Sequence, residues 1–182
     1  MNDKIKIDKI IKKIKIIINY LNNFKKIEGM TLYIILSNIN KNLINEKYIL
    51  NGDNINSGLC SLTYIYIWRE EELLKVLIHE MLHYFKLDKY EIGFKDYRNE
   101  INIILGDNKY NLILNEAYTE LLALLINIII YIKLNIKEDK KIEIFYEILK
   151  KEVINSYNNV IKILDYYNIN KFEELYNNNN FN

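Results

Sequence analysis

Isoleucines recur at helical spacing over residues 4–26, and lysines occupy the positions between them. This pattern predicts an amphipathic helix with one face packed on its domain and a lysine-rich face in water. From Met30 the pattern changes to short apolar runs, TLYIILS, KYIL and SLTYIYIW. These runs predict three strands, of which the last two could form a hairpin across the Asn- and Gly-rich segment between them.

Three more helices are predicted in the rest of the chain. Residues 70–87 are periodic and begin with three glutamates, which are favourable at a helix N-terminus. Polar residues and two glycines over 88–109 predict a connection, and helical periodicity returns over 111–134 and 141–167. The expected fold class is α+β, with a small mixed sheet and additional long N- and C-terminal helices.

Composition and charge exclude several classes of partner. The 25 basic and 24 acidic side chains nearly cancel, so we expect neither nucleic acid nor a membrane as a partner. Cys60 is the only cysteine, which favours a reducing compartment and an inert, half-buried thiol. Lysines interrupt the N-terminal apolar residues, unlike a signal peptide, and the apolar run over 121–132 is too short to span a bilayer. We expect a soluble, cytoplasmic protein.

The strongest chemical signal is the sequence HEMLH, because the only two histidines of the chain, His79 and His83, lie four residues apart in it. On a helix, these positions are about 40° apart around the axis and roughly 6 Å apart along it, so both imidazoles can bind one ion. Glu80, about 100° round from His79, can flank the ion without binding it and act as general base toward a metal-activated water. This motif also arises by chance on ordinary helices.

A catalytic zinc usually has three protein ligands, so the two histidines require a third, which must be a carboxylate here. The best candidate is Glu116 in the sequence NEAYTE, early on its own predicted helix. Glu120, one turn later, faces the same way and can accept a hydrogen bond from a metal-bound imidazole. The same two glutamates could instead be a solvated acidic patch, and four other carboxylates compete for the ligand role: Asp88, Glu91, Asp96 and Glu100.

These residues resemble the gluzincin group of zinc metallopeptidases, in which HExxH on one helix is followed by a glutamate ligand on a second. The resemblance implies one Zn²⁺ per chain, held by His79, His83 and Glu116, with Glu80 as general base and Glu120 supporting a ligand. More loosely, residues 56–124 are similar to uncharacterised metallopeptidase-like proteins of large DNA viruses, which would put the protein in the host cytoplasm.

The resemblance also implies a zincin-like fold, with a small sheet over the HExxH helix and an edge strand that pairs with extended substrate. We expect one such domain over 1–182, made of an N-terminal helix (1–28), a metal-site core (30–134) and a C-terminal helical part (138–176). The candidate edge strand is 59–68. Larger gluzincins have a further histidine that stabilises the oxyanion, and candidate replacements here are Tyr157, which we prefer, Tyr118, Arg69 and Arg98.

The function predicted from the sequence is therefore peptide-bond hydrolysis by a zinc metallopeptidase acting on a peptide or protein substrate. Two other functions stay open. One is a catalytically degenerate zincin-fold protein that binds a protein partner, although an intact Glu80 argues against it, because zinc binding alone does not need this residue. The other is a helical interaction protein without metal, based on the amphipathic first and last helices.

Overall fold

The computed structural model describes residues 3–26, 29–38, 56–88, 114–171 and 174. These residues form a mixed α+β structure with four α-helices and one three-stranded sheet, in agreement with the predicted class. In chain order the elements are α1 (Asp3–Leu21), β1 (Thr31–Ile34), β2 (Gly58–Cys60), β3 (Tyr64–Ile67), α2 (Leu73–Tyr84), α3 (Leu114–Asn135), a 3-10 turn (Glu138–Lys140) and α4 (Lys141–Tyr166).

The chain divides into two compact units. The first comprises Met1–Asn40, Asn56–Asp88 and Tyr118–Ile130, and so contains the sheet, α1, α2 and most of α3. The second comprises the remaining residues and contains α4. Helix α3 is continuous through both of its unit boundaries. The predicted single domain over 1–182 stays a prediction.

The sheet has the order β1–β3–β2, so β3 is its central strand. Strand β3 pairs in parallel with β1 and antiparallel with β2. Alternation places Ile65 and Ile67 of β3, both fully buried, on the face that contributes to the core. The opposite face carries Tyr66, whose ring centroid lies 5.4 Å from that of Tyr33 on the neighbouring strand. One face of the sheet is thus apolar core and the other is a tyrosine-rich surface.

The predicted strand SLTYIYIW is shorter than expected, because Ser61, Leu62 and Thr63 connect β2 to β3. Leu62 lies in this connection with 87% of its surface exposed, and the Ser61 N–H donates to the Tyr64 carbonyl at 2.8 Å. The prediction of an edge strand over 59–68 is therefore wrong for β3, which is central, whereas β2 lies at an edge of the sheet that the described strands form. The predicted strand KYIL and its hairpin lie outside the described residues.

The hydrophobic core of the first unit lies between the sheet and the helices. From α2 it takes Leu77, Ile78 and Met81, none of which has measurable exposure, and from α1 it takes Ile17 and Leu21. Each such side chain contributes about 1.5–3 kcal/mol by leaving water.

Helix α2 is shorter at both ends than the predicted 70–87. Glu72 precedes it with a left-handed backbone (φ 57°), so the three glutamates lie outside the helix rather than in its first turn. At the C-terminal end, Lys86 has φ 56°, which is incompatible with a continued right-handed helix. Helix α1 ends at Leu21 rather than at 26, while α3 and α4 are close to their predicted extents.

Helix α3 contains a stretch, Asn115–Asn135, that is long and apolar enough to cross a membrane by length and composition alone. This stretch is longer than the run over 121–132 that was considered from the sequence. One such helix is weak evidence for a membrane span, because a core helix of a soluble protein passes the same test; 22% of the apolar window in α3 is buried.

Candidate metal centre

The two histidines of HEMLH lie one turn apart on α2, and their Nε2 atoms are 3.0 Å from each other. The imidazole planes are steeply inclined, at 76°, with ring centroids 4.7 Å apart. Two nitrogens bound to one tetrahedral zinc, each about 2.1 Å from it, are about 3.4 Å apart. The two Nε2 atoms therefore need to separate by only a few tenths of an ångström to share an ion.

The other ring nitrogen of His79 is held by a carboxylate from α3. His79 Nδ1 lies 3.1 Å from Oε2 of Glu120, and Oε1 of the same carboxylate lies 2.5 Å from Nζ of Lys75. The hydrogen bond from His79, with further help from Lys75, lowers the pKa of Glu120 from 4.5 to about 2 although burial opposes this. An ionised carboxylate can only accept, so Nδ1 of His79 donates to Glu120, and Nε2 is the ring nitrogen on the side of His83.

His83 is held in the same way by a residue close to it in sequence. Its Nδ1 lies 3.0 Å from Oδ2 of Asp88, whose side chain is only 12% exposed. The backbone reaches this position because Lys86 is left-handed, and the N–H groups of Lys86 and Leu87 donate back to the carbonyls of His83 and Leu82. This is a hydrogen-bonded helix end that reverses the chain. Asp88 was considered as a metal ligand, but it contacts the ring nitrogen that faces away from the pair of Nε2 atoms.

Glu116 is the third residue that could hold a metal ion. It lies one turn before Glu120 on the same continuous helix, and one of its carboxylate oxygens and a ring nitrogen of each histidine all lie within 4.8 Å of one another. Within the described part of the chain, these three residues are the group whose ligand atoms lie close enough together to share one metal ion. Glu116 and Glu120 are both exposed. Glu91, Asp96 and Glu100 lie outside the described residues.

Glu80 occupies the flank of α2 that faces β2. The residue is buried, with 8% exposure, and its carboxylate lies against the backbone of Gly58. Cys60 is two residues further along the same strand, so it points to the same side as Gly58. Burial, together with the negative charges of Glu80 and Asp88, raises the pKa of the Cys60 thiol to about 11. This raised pKa favours the neutral thiol over the thiolate, which is the nucleophilic form.

The candidate oxyanion donors are distributed over both units. Tyr157 lies on α4 in the second unit with 68% exposure, and its predicted role stays a prediction. Tyr118 lies on α3 and is partly buried, while Arg69 is buried just before α2, with 5% exposure. Arg98 is outside the described residues.

Two of the contacts at the centre were not foreseen from the sequence. Asp88 is the partner of His83, and Lys75 is the cation that pairs with Glu120. Lys75 lies four residues before His79, so helical spacing was a signal that could have placed it on the same face of α2.

Comparisons of the chain with protein-family models, with curated proteins and with solved structures give no match.

Proposed function

We propose that this protein is a zinc-dependent peptidase of zincin-like fold that hydrolyses peptide bonds, with Glu80 as the general base. One observation carries the proposal: the Nε2 atoms of His79 and His83 converge to 3.0 Å, while a separate carboxylate holds each Nδ1 atom. A pair of imidazoles on an ordinary helix surface needs neither feature. Metal-binding histidines commonly have both, because the carboxylate fixes the tautomer and the ring orientation.

The residues that would hold the ion are His79, His83 and Glu116. Two imidazole nitrogens and one carboxylate oxygen are the donor set of several catalytic zinc sites, which leave one position open. They suit zinc better than calcium or magnesium, which prefer oxygen ligands only. A bound zinc ion would polarise the substrate carbonyl and make water a better nucleophile at neutral pH.

The chain's own contribution to the reaction would be a proton transfer at Glu80. Its carboxylate takes a proton from the attacking water and later gives it to the nitrogen of the leaving amine. Because Glu80 is buried against β2, its position is restricted, and a restricted base needs less reorganisation during the reaction. The neutral thiol of Cys60 nearby does not compete for this role.

The same strand suggests how a peptide would be held. Strand β2 lies at an edge of the described sheet and runs next to the flank of α2 that carries Glu80. An extended peptide can add to such an edge through main-chain hydrogen bonds, which are independent of sequence. The substrate class we propose is therefore an extended peptide or a flexible segment of a protein.

The test combines metal analysis with peptide cleavage. Wild type, His83→Ala, Glu116→Ala and Glu80→Gln are purified, supplied with zinc and dialysed, and zinc is counted by mass spectrometry. Each protein is then incubated with a peptide library, and new termini are identified. We expect one zinc per chain in wild type and in Glu80→Gln, with much weaker binding in the two ligand variants. Glu80→Gln should cleave about 10²–10⁴-fold more slowly than wild type.

Three outcomes would contradict parts of the proposal in different ways. A wild type that binds no zinc excludes the metal centre and leaves a helical interaction protein. A wild type that binds zinc through the three residues but cleaves nothing leaves a degenerate protein-binding module. Cleavage that Glu80→Gln retains at the wild-type rate would assign the base to another residue or the activity to a contaminant.

A further inference from the structure

We propose that Gly58 is a positioning residue for Glu80, and that the missing side chain of this glycine is what lets the Glu80 carboxylate sit against β2. The inference rests on the proposed function, because it assigns Gly58 a role through the proposed general base. Gly58 is not one of the candidate metal ligands, so a substitution there leaves the ligand set unchanged.

The requirement at Gly58 is for space. A β-carbon placed there would lie 2.9 Å from Oε1 and 3.0 Å from Cγ of Glu80, and 2.7 Å from Cγ1 of Val76. Carbon atoms in proteins make favourable contacts at about 3.5–4.0 Å, so all three distances are too short. Gly58 lies in a regular strand and pairs with Ile67, so its backbone conformation is one that any residue can adopt.

Strand β2 has little freedom to move away from the helix. Gly58 is in register with Ile67 of the central strand, and the Trp68 N–H donates to the Ser57 carbonyl at 3.1 Å. Val76 is also restricted, because it is buried and its β-branched side chain has few rotamers in a helix. Of the groups around the new β-carbon, the carboxylate end of Glu80 is the most flexible, so it is the group that gives way.

A substitution at Gly58 therefore has two separable effects. The contact with Val76 strains the packing of α2 on the sheet, which lowers stability. The contact with Glu80 moves the carboxylate, which lowers activity without removing any metal ligand. Val76→Ala removes the first contact and leaves the second, so it serves as the matched background for the experiment.

The experiment compares wild type, Gly58→Ala, Val76→Ala and the double variant Gly58→Ala/Val76→Ala. Thermal unfolding, zinc affinity and the kcat and KM for a cleaved peptide are measured for each. We expect Gly58→Ala alone to lower Tm, and the double variant to unfold near the Tm of Val76→Ala. The double variant should bind zinc within about threefold of Val76→Ala, yet have a kcat about tenfold to a hundredfold lower, with little change in KM.

A further substitution tests whether the lower kcat of the double variant is caused by displacement of Glu80. Adding Glu80→Gln to the double variant should lower kcat by much less than the same change does in Val76→Ala, because part of the contribution of Glu80 has already been lost. If kcat in the double variant returns together with Tm, Gly58 has a purely structural role and the proposal is wrong.

A crystal structure of the double variant and of Val76→Ala gives a readout that needs no substrate. The Glu80 carboxylate should be displaced by about 0.5 Å or more in the double variant, since ordinary van der Waals contact requires at least that much. An unmoved carboxylate overturns the proposal even if the protein cleaves peptides. A displaced carboxylate in a protein that binds zinc but cleaves nothing supports the role of Gly58 and contradicts only the proposed peptidase function.

Discussion

Helices α2 and α4 both contain many large apolar side chains, but they differ in how much of each helix is buried. Seven of the twelve residues of α2 are buried, whereas none of the 26 residues of α4 is. Large apolar side chains of α4 are strongly exposed, including Ile142, Tyr146 and Val153 at 76%, 65% and 62%. Apolar composition therefore does not decide burial in this chain. Burial follows from the sheet and helices that cover α2.

The largest expected difference between the two helices concerns stability. Leu77→Ala in α2 removes a fully buried side chain from the core and should lower the free energy of unfolding by about 2–5 kcal/mol. Val153→Ala in α4 removes atoms from an exposed position and should change it by less than about 0.5 kcal/mol. Urea unfolding of both variants measures the comparison. A large loss in Val153→Ala would show that α4 is covered by a partner in solution.

The two histidines of α2 can also be compared with each other. The carboxylate that is hydrogen-bonded to one is near it in sequence, and the carboxylate bonded to the other is far from it in sequence. Asp88 lies five residues after His83, whereas Glu120 reaches His79 from α3. Asp88→Ala and Glu120→Ala should each weaken zinc binding about 10–100-fold. Glu147→Ala on α4 is the control and should have no effect. The measurement is a competition titration with a zinc chelator.

Equal zinc affinity in wild type and in both of these variants would mean that the carboxylates do not support the ligands. A loss in only one variant would identify which histidine depends on its partner.

The smallest expected effect concerns the end of α2. Lys86 has a left-handed backbone conformation. For a residue with a side chain this conformation is about 1 kcal/mol less favourable than the right-handed one, whereas glycine adopts both readily. Lys86→Gly should therefore keep or raise Tm by a few degrees, while Lys86→Ala, with the same strain, should not raise it. A lower Tm in Lys86→Gly than in Lys86→Ala would show that the lysine side chain itself stabilises this turn.

Much of the centre was predictable because it follows from helical spacing. His79 and His83 share a face of α2 for that reason, and Glu116 and Glu120 share a face of α3 for the same reason. Asp88 was not assigned to His83, because its position depends on the left-handed Lys86, and a lysine gives no sequence signal for such a turn. Glycine at this position would have been a recognisable helix end.

The fold class was predictable, but the connection between β2 and β3 was not. Its residues, Ser61, Leu62 and Thr63, include no glycine, proline or asparagine. Leu62 extends the apolar character of the neighbouring strand, so the sequence predicts one long strand where the structure has two. In the structure, the antiparallel pairing of β2 with β3 and the exposure of Leu62 between them distinguish the two arrangements.

The placement of the three candidate ligands also has a consequence for cooperativity. His79 and His83 come together through the hydrogen bonds of a single helix, so their proximity is a local property of α2. Glu116 follows His83 by 33 residues, and joining it to the pair carries the entropy cost of closing that loop. The proximity of the two imidazoles thus depends on α2 alone, whereas the position of Glu116 also depends on α3. A perturbation that loosens α3 while α2 stays folded changes a three-ligand centre into a two-ligand one, without altering a single ligand residue.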